Sequence, residues 1–499
     1  MHFSKRNLFL LTLLFLLGIG GCSTFSSQRT VPALNRPAEC LQFFEHLDKK
    51  IEEKGVRNAA DFPIPGFPYL RANRFLAALG HQLKGEKERD EWVRWMQNLD
   101  LEGRRTEIWN LPEDAIRSIP PKKGGEEGRE NLFSQTKSCS TKLLEYDRSQ
   151  KNFAAALAKG TKVPEEYSTF LRVIGLHPLT ALPVALSTEN VRERFKAWFQ
   201  EDINRLPVSG RLQTYVPGEG VFLGPDLISR ILRDSKGNGL KVPRPEEPDE
   251  ERLVRALAPV IIQDVAGSFD SMGRLEWQGE EEGINPNRPV VYYYLAHAFL
   301  NGMPILQVHY VIWYGAREGR NPPWFERGRL DGLTIRFSLD SQGKLFMVDI
   351  MNNCGCYHFF VPDAARVNQV LSPGSASPPF VPQDLPKLGN EERLGLRVNS
   401  GWHQVQRLFA FRESSNSIPY QLVPYKVLES LPQGNAAYKS IFNSEGIIPG
   451  TKRSERLFLF PMGVPSVGSM RQRGHHAIDF IGRAHFDDPD LFERNFVLR

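Results

Sequence analysis

The sequence has few cysteines and none of the common local signatures of catalysis. Only 5 of its 499 residues are cysteine. It contains no G-x-S-x-G nucleophile elbow, no H-E-x-x-H zinc motif, no P-loop and no G-x-G-x-x-G element between a strand and a helix. These absences leave the common hydrolase, metalloprotease and nucleotide-binding classes without support, although a catalytic triad need not leave a local motif.

Long apolar runs are also lacking, except for one at the N-terminus. Lys5 and Arg6 precede an apolar segment at 8–17, which is followed by small residues and then by Cys22. A positive start, an apolar segment too short to span a bilayer comfortably and small residues before a cleavage point predict a secretory signal peptide over residues 1–21. The alternative is an uncleaved anchor helix.

The end of this segment, Ile19-Gly20-Gly21-Cys22, resembles the lipobox of bacterial lipoproteins. The resemblance implies that the Cys22 thiol receives diacylglycerol, that cleavage occurs just before it, and that the new amino group is acylated. Several acyl chains such as palmitate, at about 0.8 kcal/mol per buried CH₂, make a stable membrane anchor. Because Ser23 replaces the aspartate that marks inner-membrane retention, the resemblance implies the outer membrane, facing the periplasm. It covers only the N-terminal residues and implies nothing about the mature fold.

The charge of the chain gives no sign of a nucleic-acid partner. The formal net charge is +5, and removal of Lys5 and Arg6 with the signal peptide leaves +5 − 2 = +3. The sequence is therefore weakly basic, and it has no run of lysine and arginine that would follow a phosphate backbone. We expect a membrane contact through Cys22 and no nucleic acid, with any protein or small-molecule partner unidentified.

Composition and periodicity predict an α+β protein. Residues 22–36 are rich in Ser, Thr, Gln and Pro and predict a flexible tether. Apolar residues recur at helical spacing across 37–206, which predicts a mainly helical domain. From 207 to 499, short β-branched and aromatic runs alternate with turn residues and predict a β-rich domain. We expect this second domain to be a mostly antiparallel sandwich or open barrel.

Four predicted elements matter below. They are a helix over 71–83, a hairpin that joins 290–300 to 305–314, a strand over 457–460, and a final strand over 475–486.

The cysteines that remain after lipidation of Cys22 lie in an oxidising compartment and allow three pairings. Cys40 and Cys139 are the candidate disulfide, which would close a long loop and stabilise the fold by up to ~4–5 kcal/mol in the chain-entropy model. Cys354 and Cys356 would then bond to each other, bind a metal or stay free. A bond from either of them to Cys40 or Cys139 would instead tie the two domains together.

The stretch around Cys354 is the first candidate for chemistry. If it is extended, then Cys354, Cys356 and His358 share one face. Two thiolates and an imidazole suit zinc or copper, although a further ligand is needed. A strained, reducible bond between the two cysteines, made feasible by a bend at Gly355, would instead mark a redox site.

Two histidines of the predicted hairpin, His297 and His309, are further candidate metal ligands. A three-residue loop would place them on one face, whereas a two-residue loop would split them between the two faces. The alternative for each is a hydrogen-bonded core histidine.

The predicted final strand supplies a candidate polar pocket. Its residues alternate, so that one face carries His475, Asp479, Arg483 and His485. Such a face is either ordinary solvent-exposed surface or a pocket wall that holds an acid–base pair or an anion.

These observations lead to one main hypothesis and two competitors. The main hypothesis is a non-enzymatic, lipid-anchored protein of the cell envelope whose β-rich domain binds a ligand or partner while its helical domain acts as a scaffold. The first competitor is a periplasmic metal-dependent hydrolase with cysteine and histidine ligands in the β-rich domain. The second is a thiol redox protein, which requires a bond between Cys354 and Cys356.

Overall fold

The computed structural model describes residues 37–120, 124–371, 378–389, 391–412, 416–434 and 437–499. The predicted signal peptide, Cys22 and the tether at 22–36 lie outside the described residues.

Helices occupy most of the first half. They are α1 (Ala38–Lys54), α2 (Arg74–Leu79), α3 (Glu86–Asn110), α4 (Glu113–Ser118), α5 (Gly125–Arg148), α6 (Phe153–Gly160), α7 (Thr169–Ile174), α8 (His177–Gln200), α9 (Pro225–Asp234), α10 (Asp249–Leu257), α11 (Arg456–Leu459) and α12 (Leu491–Asn495).

Strands dominate the second half. They are β1 (Phe62–Ile64), β2 (Phe67–Ala72), β3 (Arg211–Pro217), β4 (Val260–Val265), β5 (Arg274–Gln278), β6 (Glu281–Asn285), β7 (Val290–Leu300), β8 (Met303–Arg317), β9 (Gly328–Leu339), β10 (Leu345–Asn352), β11 (Phe359–Pro362), β12 (Val367–Val370), β13 (Glu392–Val398), β14 (Val405–Arg412), β15 (Ile418–Pro424), β16 (Leu431–Pro432), β17 (Tyr438–Lys439) and β18 (Phe496–Leu498).

The helical region forms as its apolar spacing predicts. In α1, Phe43, Leu47 and Ile51 recur every four residues and are buried on one face. The predicted helix at 71–83 is partly wrong. Residues 67–72 pair with β1 as a strand, and the Asn73 side chain accepts a hydrogen bond from the Leu76 amide at 2.9 Å, so the helix begins only at Arg74.

One large curled sheet organises the rest of the chain. Its strand order is β11-β10-β9-β8-β7-β15-β3-β4-β13-β14. The first five strands are antiparallel neighbours, whereas β15 runs parallel to both β7 and β3, and β13 runs parallel to β4. A helical region followed by a mostly antiparallel sheet confirms the predicted α+β class.

The two faces of this sheet pack against different parts of the chain. Along β8, Val308, Tyr310 and Ile312 join a core with α8, α9 and α10. Val311 and Trp313, which point the other way, pack against Cys354, Tyr425 and Met470. The turn that contains the cysteines therefore lies on the face covered by the C-terminal segments.

Residues 37–499 form one compact unit by their contacts. Phe299 of β7 belongs to the core of the helical region, which also contains Leu240 and Val242. The domain boundary predicted between residues 206 and 207 stays a prediction.

Two of the predicted C-terminal strands are wrong. Residues 457–460 lie in α11 and in the 3₁₀ turn Phe460–Met462 that follows it. Residues 475–486 are turns and loop with a single isolated bridge between Ala477 and His485. The backbone amides of Asp479 and Ala484 donate to the Tyr167 hydroxyl at 3.2 Å, so part of this segment bonds to the helical region instead of to a neighbouring strand.

Candidate functional site

The cysteines at 354 and 356 lie in a tight turn between β10 and β11, and the prediction of an extended stretch is wrong. The Asn352 amide donates to the Cys356 carbonyl at 3.0 Å, and the Gly355 amide donates to the Asn352 carbonyl at 2.8 Å. Gly355 has a φ of +89°, which a glycine adopts readily. Strand alternation therefore does not govern where these side chains point.

Both cysteines are free, buried thiols. Cys354 is 3% exposed and Cys356 is 7% exposed. The other two described cysteines, Cys40 of α1 and Cys139 of α5, form a disulfide across 99 residues. The candidate pairing of Cys40 with Cys139 is therefore present in the structure, and neither thiol of the turn bonds to the helical region.

The two thiols are hydrogen-bonded to each other and differ in acidity. Burial raises the pKa of Cys354, but the hydrogen bond from Cys356 and the guanidinium groups of Arg317 and Arg453 outweigh it and lower the pKa to about 7. The same hydrogen bond, together with burial, raises the pKa of Cys356. Cys354 is thus the thiol that ionises first.

His358 is held by a different group. Its Nε2 lies 2.8 Å from Oδ2 of Asp349, and its ring packs edge-on against Phe360 and Phe486. Burial lowers the pKa of His358 against the opposing effect of the Asp349 carboxylate. Asp349 in turn accepts from Nε of Arg336 at 2.8 Å, so this histidine completes a buried ion pair.

His297 and His309 are split between the two faces of the sheet. Leu300 pairs with Met303, so the hairpin has the two-residue Asn301–Gly302 loop, and both loop residues have positive φ. His297 points towards the helical region, where its Nε2 lies 2.8 Å from the Pro243 carbonyl oxygen. His309 points to the opposite face and stacks on Tyr294 with 4.2 Å between ring centroids.

Burial disfavours the protonated form of His297, His309 and His476. It lowers the pKa of His297 to about 4 and that of His476 to about 3. The pKa of His309 is also lowered by burial and by the nearby Arg336 charge. Neither ring nitrogen of His309 has a hydrogen-bond partner among the described residues.

The candidate metal ligands do not converge. Within the described ranges, no group of three or more His, Cys, Asp or Glu side chains is placed to hold a metal ion. Cys354 and Cys356 lie in the turn, His358 bonds to Asp349, and His297 and His309 point to opposite faces.

The candidate polar face of residues 475–485 is also dispersed. His475 bonds to the Glu166 carboxylate at 2.8 Å, and the Glu166 amide donates to Nε2 of His485 at 3.1 Å. Asp479 accepts from the amides two and three residues ahead, which closes a local turn. Arg483 donates to the Thr169 hydroxyl at 2.9 Å. The two histidines meet at one segment of the helical region, Arg483 reaches α7, and Asp479 closes a turn of its own loop.

A buried network that sequence reasoning missed lies next to the thiols. His403 is completely buried, with Nδ1 2.8 Å from Asp331 and Nε2 3.1 Å from Asp270. Its ring stacks on Tyr314 at 4.0 Å. Burial opposes protonation of this histidine, but the hydrogen bonds to Asp270 and Asp331 outweigh it and raise the pKa of His403.

Arg317 extends this network towards the cysteines. Its Nε and Nη2 donate to Asp331 at 2.9 Å each, and its Nη1 donates to Glu326 at 2.8 Å. Trp402 and Tyr357 donate to the two oxygens of the same Glu326 carboxylate. Opposite charges within a buried interior are thus matched by well-formed hydrogen bonds.

Two further ionisable residues complete the surroundings of the thiols. Arg453 donates to Asp331 at 3.3 Å and acts electrostatically on Cys354. Burial and the negative charge of Cys354 raise the pKa of Glu455 to about 8, and its Oε1 has no hydrogen-bond partner among the described residues. A thiol with a lowered pKa, a second thiol and a protonatable carboxyl group form a setting suited to thiol chemistry.

Little in the sequence points to this network. Asp331 is a lone acid in the apolar run Leu330–Ile335, and such a buried charge indicates a partner. The partner cannot be read from spacing, because His403 lies 72 residues further along the chain.

A second candidate site is an exposed apolar surface on α7, the first half of α8 and α11. We call it the apolar surface. Its side chains are between 52% and 72% exposed. They are Phe170, Val173, Ile174, Leu176, Leu179, Leu182, Leu186, Leu457 and Phe458.

The parts of the apolar surface are connected. The 3₁₀ turn Phe460–Met462 contacts α7, α8 and α11. Gly175 lies so close to this turn that a Cβ at its position would be 2.5 Å from Cα of Pro461. The ring of the exposed Trp324 packs edge-on against Phe458, which extends the surface further. Among the described residues, no helix is long and apolar enough to cross a membrane.

Comparisons with protein-family models, with curated proteins and with solved structures found no match to this chain.

Proposed function

We propose that this chain is a bacterial lipoprotein, anchored through Cys22 to the outer membrane and facing the periplasm, that binds a partner at the apolar surface. The apolar surface is the observation that carries the binding role. Soluble proteins rarely expose a contiguous group of large apolar side chains, and where they do, the group usually marks an interaction site. The anchor itself is supported by the signal peptide and the Ile19-Gly20-Gly21-Cys22 ending.

Metabolic labelling tests the anchor. Cells that express the full chain are fed an alkyne analogue of palmitate, and the purified protein is assayed for the label. We expect the native chain to carry the label and the Cys22→Ala variant to lose it. Cys354→Ala is the matched control, since it removes a thiol that lies outside the Ile19-Gly20-Gly21-Cys22 ending. An unlabelled native chain, or a label that survives in Cys22→Ala, would refute the anchor.

Thiol redox chemistry is a second candidate function, favoured by one observation. The bond between Cys354 and Cys356 that the sequence-based redox hypothesis required is not formed in the structure, where both are free thiols. The pair therefore stands in the reduced state that attacks a disulfide, while Cys40 and Cys139 are already paired. In this reaction the Cys354 thiolate attacks a disulfide of a partner, and one partner thiol leaves. Cys356 then attacks the mixed disulfide through its thiolate and releases the second partner thiol. The pair loses two electrons and two protons, and the partner disulfide gains them.

Peptide mass analysis tests this second candidate. The full chain is incubated with oxidised glutathione, alkylated and digested without reduction. A peptide that contains Cys354 and Cys356, has lost two hydrogens and takes up no alkyl group supports the reaction. The Cys356→Ser variant should stop at a glutathione adduct on Cys354. If both native thiols remain alkylatable after unfolding, the redox function is wrong.

A further inference from the structure

We propose that the apolar surface lies against the bilayer to which the protein is anchored, so that its partner is the phospholipid surface itself. This inference rests on the proposed lipid anchor and names the partner that the proposed function leaves open.

The composition of the surface fits a membrane interface. Between Thr169 and Ser187 the only fully charged residue is Arg172. The large apolar side chains exposed in this stretch are phenylalanine, leucine, isoleucine and valine. Helices that lie in the interfacial plane bury such a face at the boundary between headgroups and acyl chains.

The helix geometry shows that this face points outwards. Leu179, Leu182 and Leu186 are three and four residues apart and therefore form one stripe of α8. All three are more than 60% exposed, whereas Ala181 is buried. A helix of a soluble domain normally turns its apolar stripe to the core, so the outward stripe needs a separate explanation.

The apolar stripe also ends at a defined point. Beyond Ser187 the same helix carries Glu189, Arg192, Glu193, Arg194 and Lys196 on a conventional polar surface. Its buried residues there are Phe195 and Phe199, which pack towards the protein. Only the first half of α8 is therefore suited to an apolar environment.

Basic side chains border the apolar surface. Lys452 and Arg456 are exposed beside Leu457 and Phe458, and Arg483 is exposed where it reaches Thr169 of α7. Cations at the edge of an interfacial patch are attracted to phosphate headgroups. This charge pattern favours a phospholipid surface over a purely apolar protein partner.

The short chain between Cys22 and the described residues strengthens a weak contact between the apolar surface and the bilayer. Fourteen residues separate Cys22 from Pro37. A chain of that length reaches at most ~50 Å even when fully extended. An anchored Cys22 thus keeps the described residues close to the bilayer at a high effective concentration, so docking needs little affinity of its own.

Photocrosslinking in cells tests the inference with the full, natively processed chain. Leu179 is replaced by p-benzoylphenylalanine, and the adduct formed on irradiation is identified by mass spectrometry. Leu182 is labelled in a second variant. Met303, which is 58% exposed at the β7–β8 turn and outside the apolar surface, is the matched control.

We expect phospholipid adducts at Leu179 and Leu182 and none at Met303. An adduct with a polypeptide at Leu179, whether a second copy of the chain or another protein, would overturn the inference, as would the absence of any lipid adduct. Palmitate labelling of Cys22 is measured on the same samples. A labelled Cys22 without a lipid adduct refutes docking alone, whereas an unlabelled Cys22 refutes the anchor.

Discussion

The Nδ1 atom of His403 lies 2.8 Å from Oδ2 of Asp331, and both side chains are completely buried. Asp331 also receives two hydrogen bonds from Arg317. Burial raises the pKa of the Asp331 carboxyl, but the Arg317 and Arg453 charges outweigh it and hold the pKa well below its usual range. When His403 is protonated it has a permanent anion beside it, and this relationship sets the pH dependence of the contribution of His403 to stability.

The contribution of His403 to stability should decrease as the pH rises. Its pKa in the folded protein is raised above the ordinary value of 6.5, so its stabilising effect is complete below pH 6.5. The effect is lost as the pH rises through the folded-state pKa. Urea unfolding should therefore show a larger free-energy difference between the native chain and His403→Gln at pH 6 than at pH 9. A difference that stays constant or grows with pH would contradict this assignment.

His309 should have the opposite pH dependence. Its pKa is lowered, so the unfolded chain binds a proton below pH 6.5 that the folded protein does not accept. Stability is then lost as the pH falls, by about 1.4 kcal/mol for each unit of pKa shift. His309→Phe removes this proton and two ring nitrogens that lack partners among the described residues.

The free energy of unfolding of His309→Phe, relative to that of the native chain, should accordingly increase as the pH is lowered from 8 to 5. Urea unfolding at each pH measures this difference. His46→Phe is the control, since His46 is an exposed residue of α1. A stability difference between His309→Phe and the native chain that does not increase as the pH falls would contradict the lowered pKa of His309.

The turn at Gly355 should not tolerate a side chain. A Cβ at this position would lie 2.5 Å from the Ala477 carbonyl oxygen, and the φ of +89° adds backbone strain. Gly434 has nearly the same φ, +88°, but a Cβ there meets nothing within 4 Å. Gly434→Ala should cost about 1–2 kcal/mol from backbone strain alone. Gly355→Ala should cost clearly more by denaturant unfolding, and equal costs would contradict the close contact.

The disulfide between Cys40 and Cys139 should be a large stabilising element. It joins α1 to α5 across 99 residues. Replacement of both cysteines by serine should lower the free energy of unfolding by roughly 2–5 kcal/mol. Cys354→Ser is a useful comparison, since it removes a thiol without breaking a bond. An unchanged midpoint of unfolding in the double variant would show that this bond does not form.

Patterns in the sequence predicted the elements whose structure depends on residues that are close together along the chain. The helical spacing of apolar residues across 37–206 predicted helices such as α1, and the strand-like runs at 290–300 and 305–314 predicted the hairpin of β7 and β8. The sequence did not determine whether His297 and His309 lie on the same face of the sheet or on opposite faces, because one additional loop residue changes the answer. The register between Leu300 and Met303 decides the question.

The features that depend on distant contacts were not predictable. Residues 475–486 alternate like a strand, but amides of this segment bond to the Tyr167 hydroxyl, 312 and 317 residues away. The network of Asp270, Asp331 and His403 likewise joins residues from separate strands and turns. The outward stripe of α8 has the same periodicity as a buried one, so periodicity cannot tell which side faces solvent.

Mass spectrometry of the mature N-terminus tests the central claim most directly. The protein is purified from membranes and digested, and the peptide that contains Cys22 is sequenced. We predict that this peptide begins at Cys22 and carries a diacylglyceryl group on the thiol and an acyl group on the amino terminus. An unmodified Cys22 within a longer peptide that includes Gly20 and Gly21 would contradict the lipid anchor, and with it the proposed docking on the bilayer.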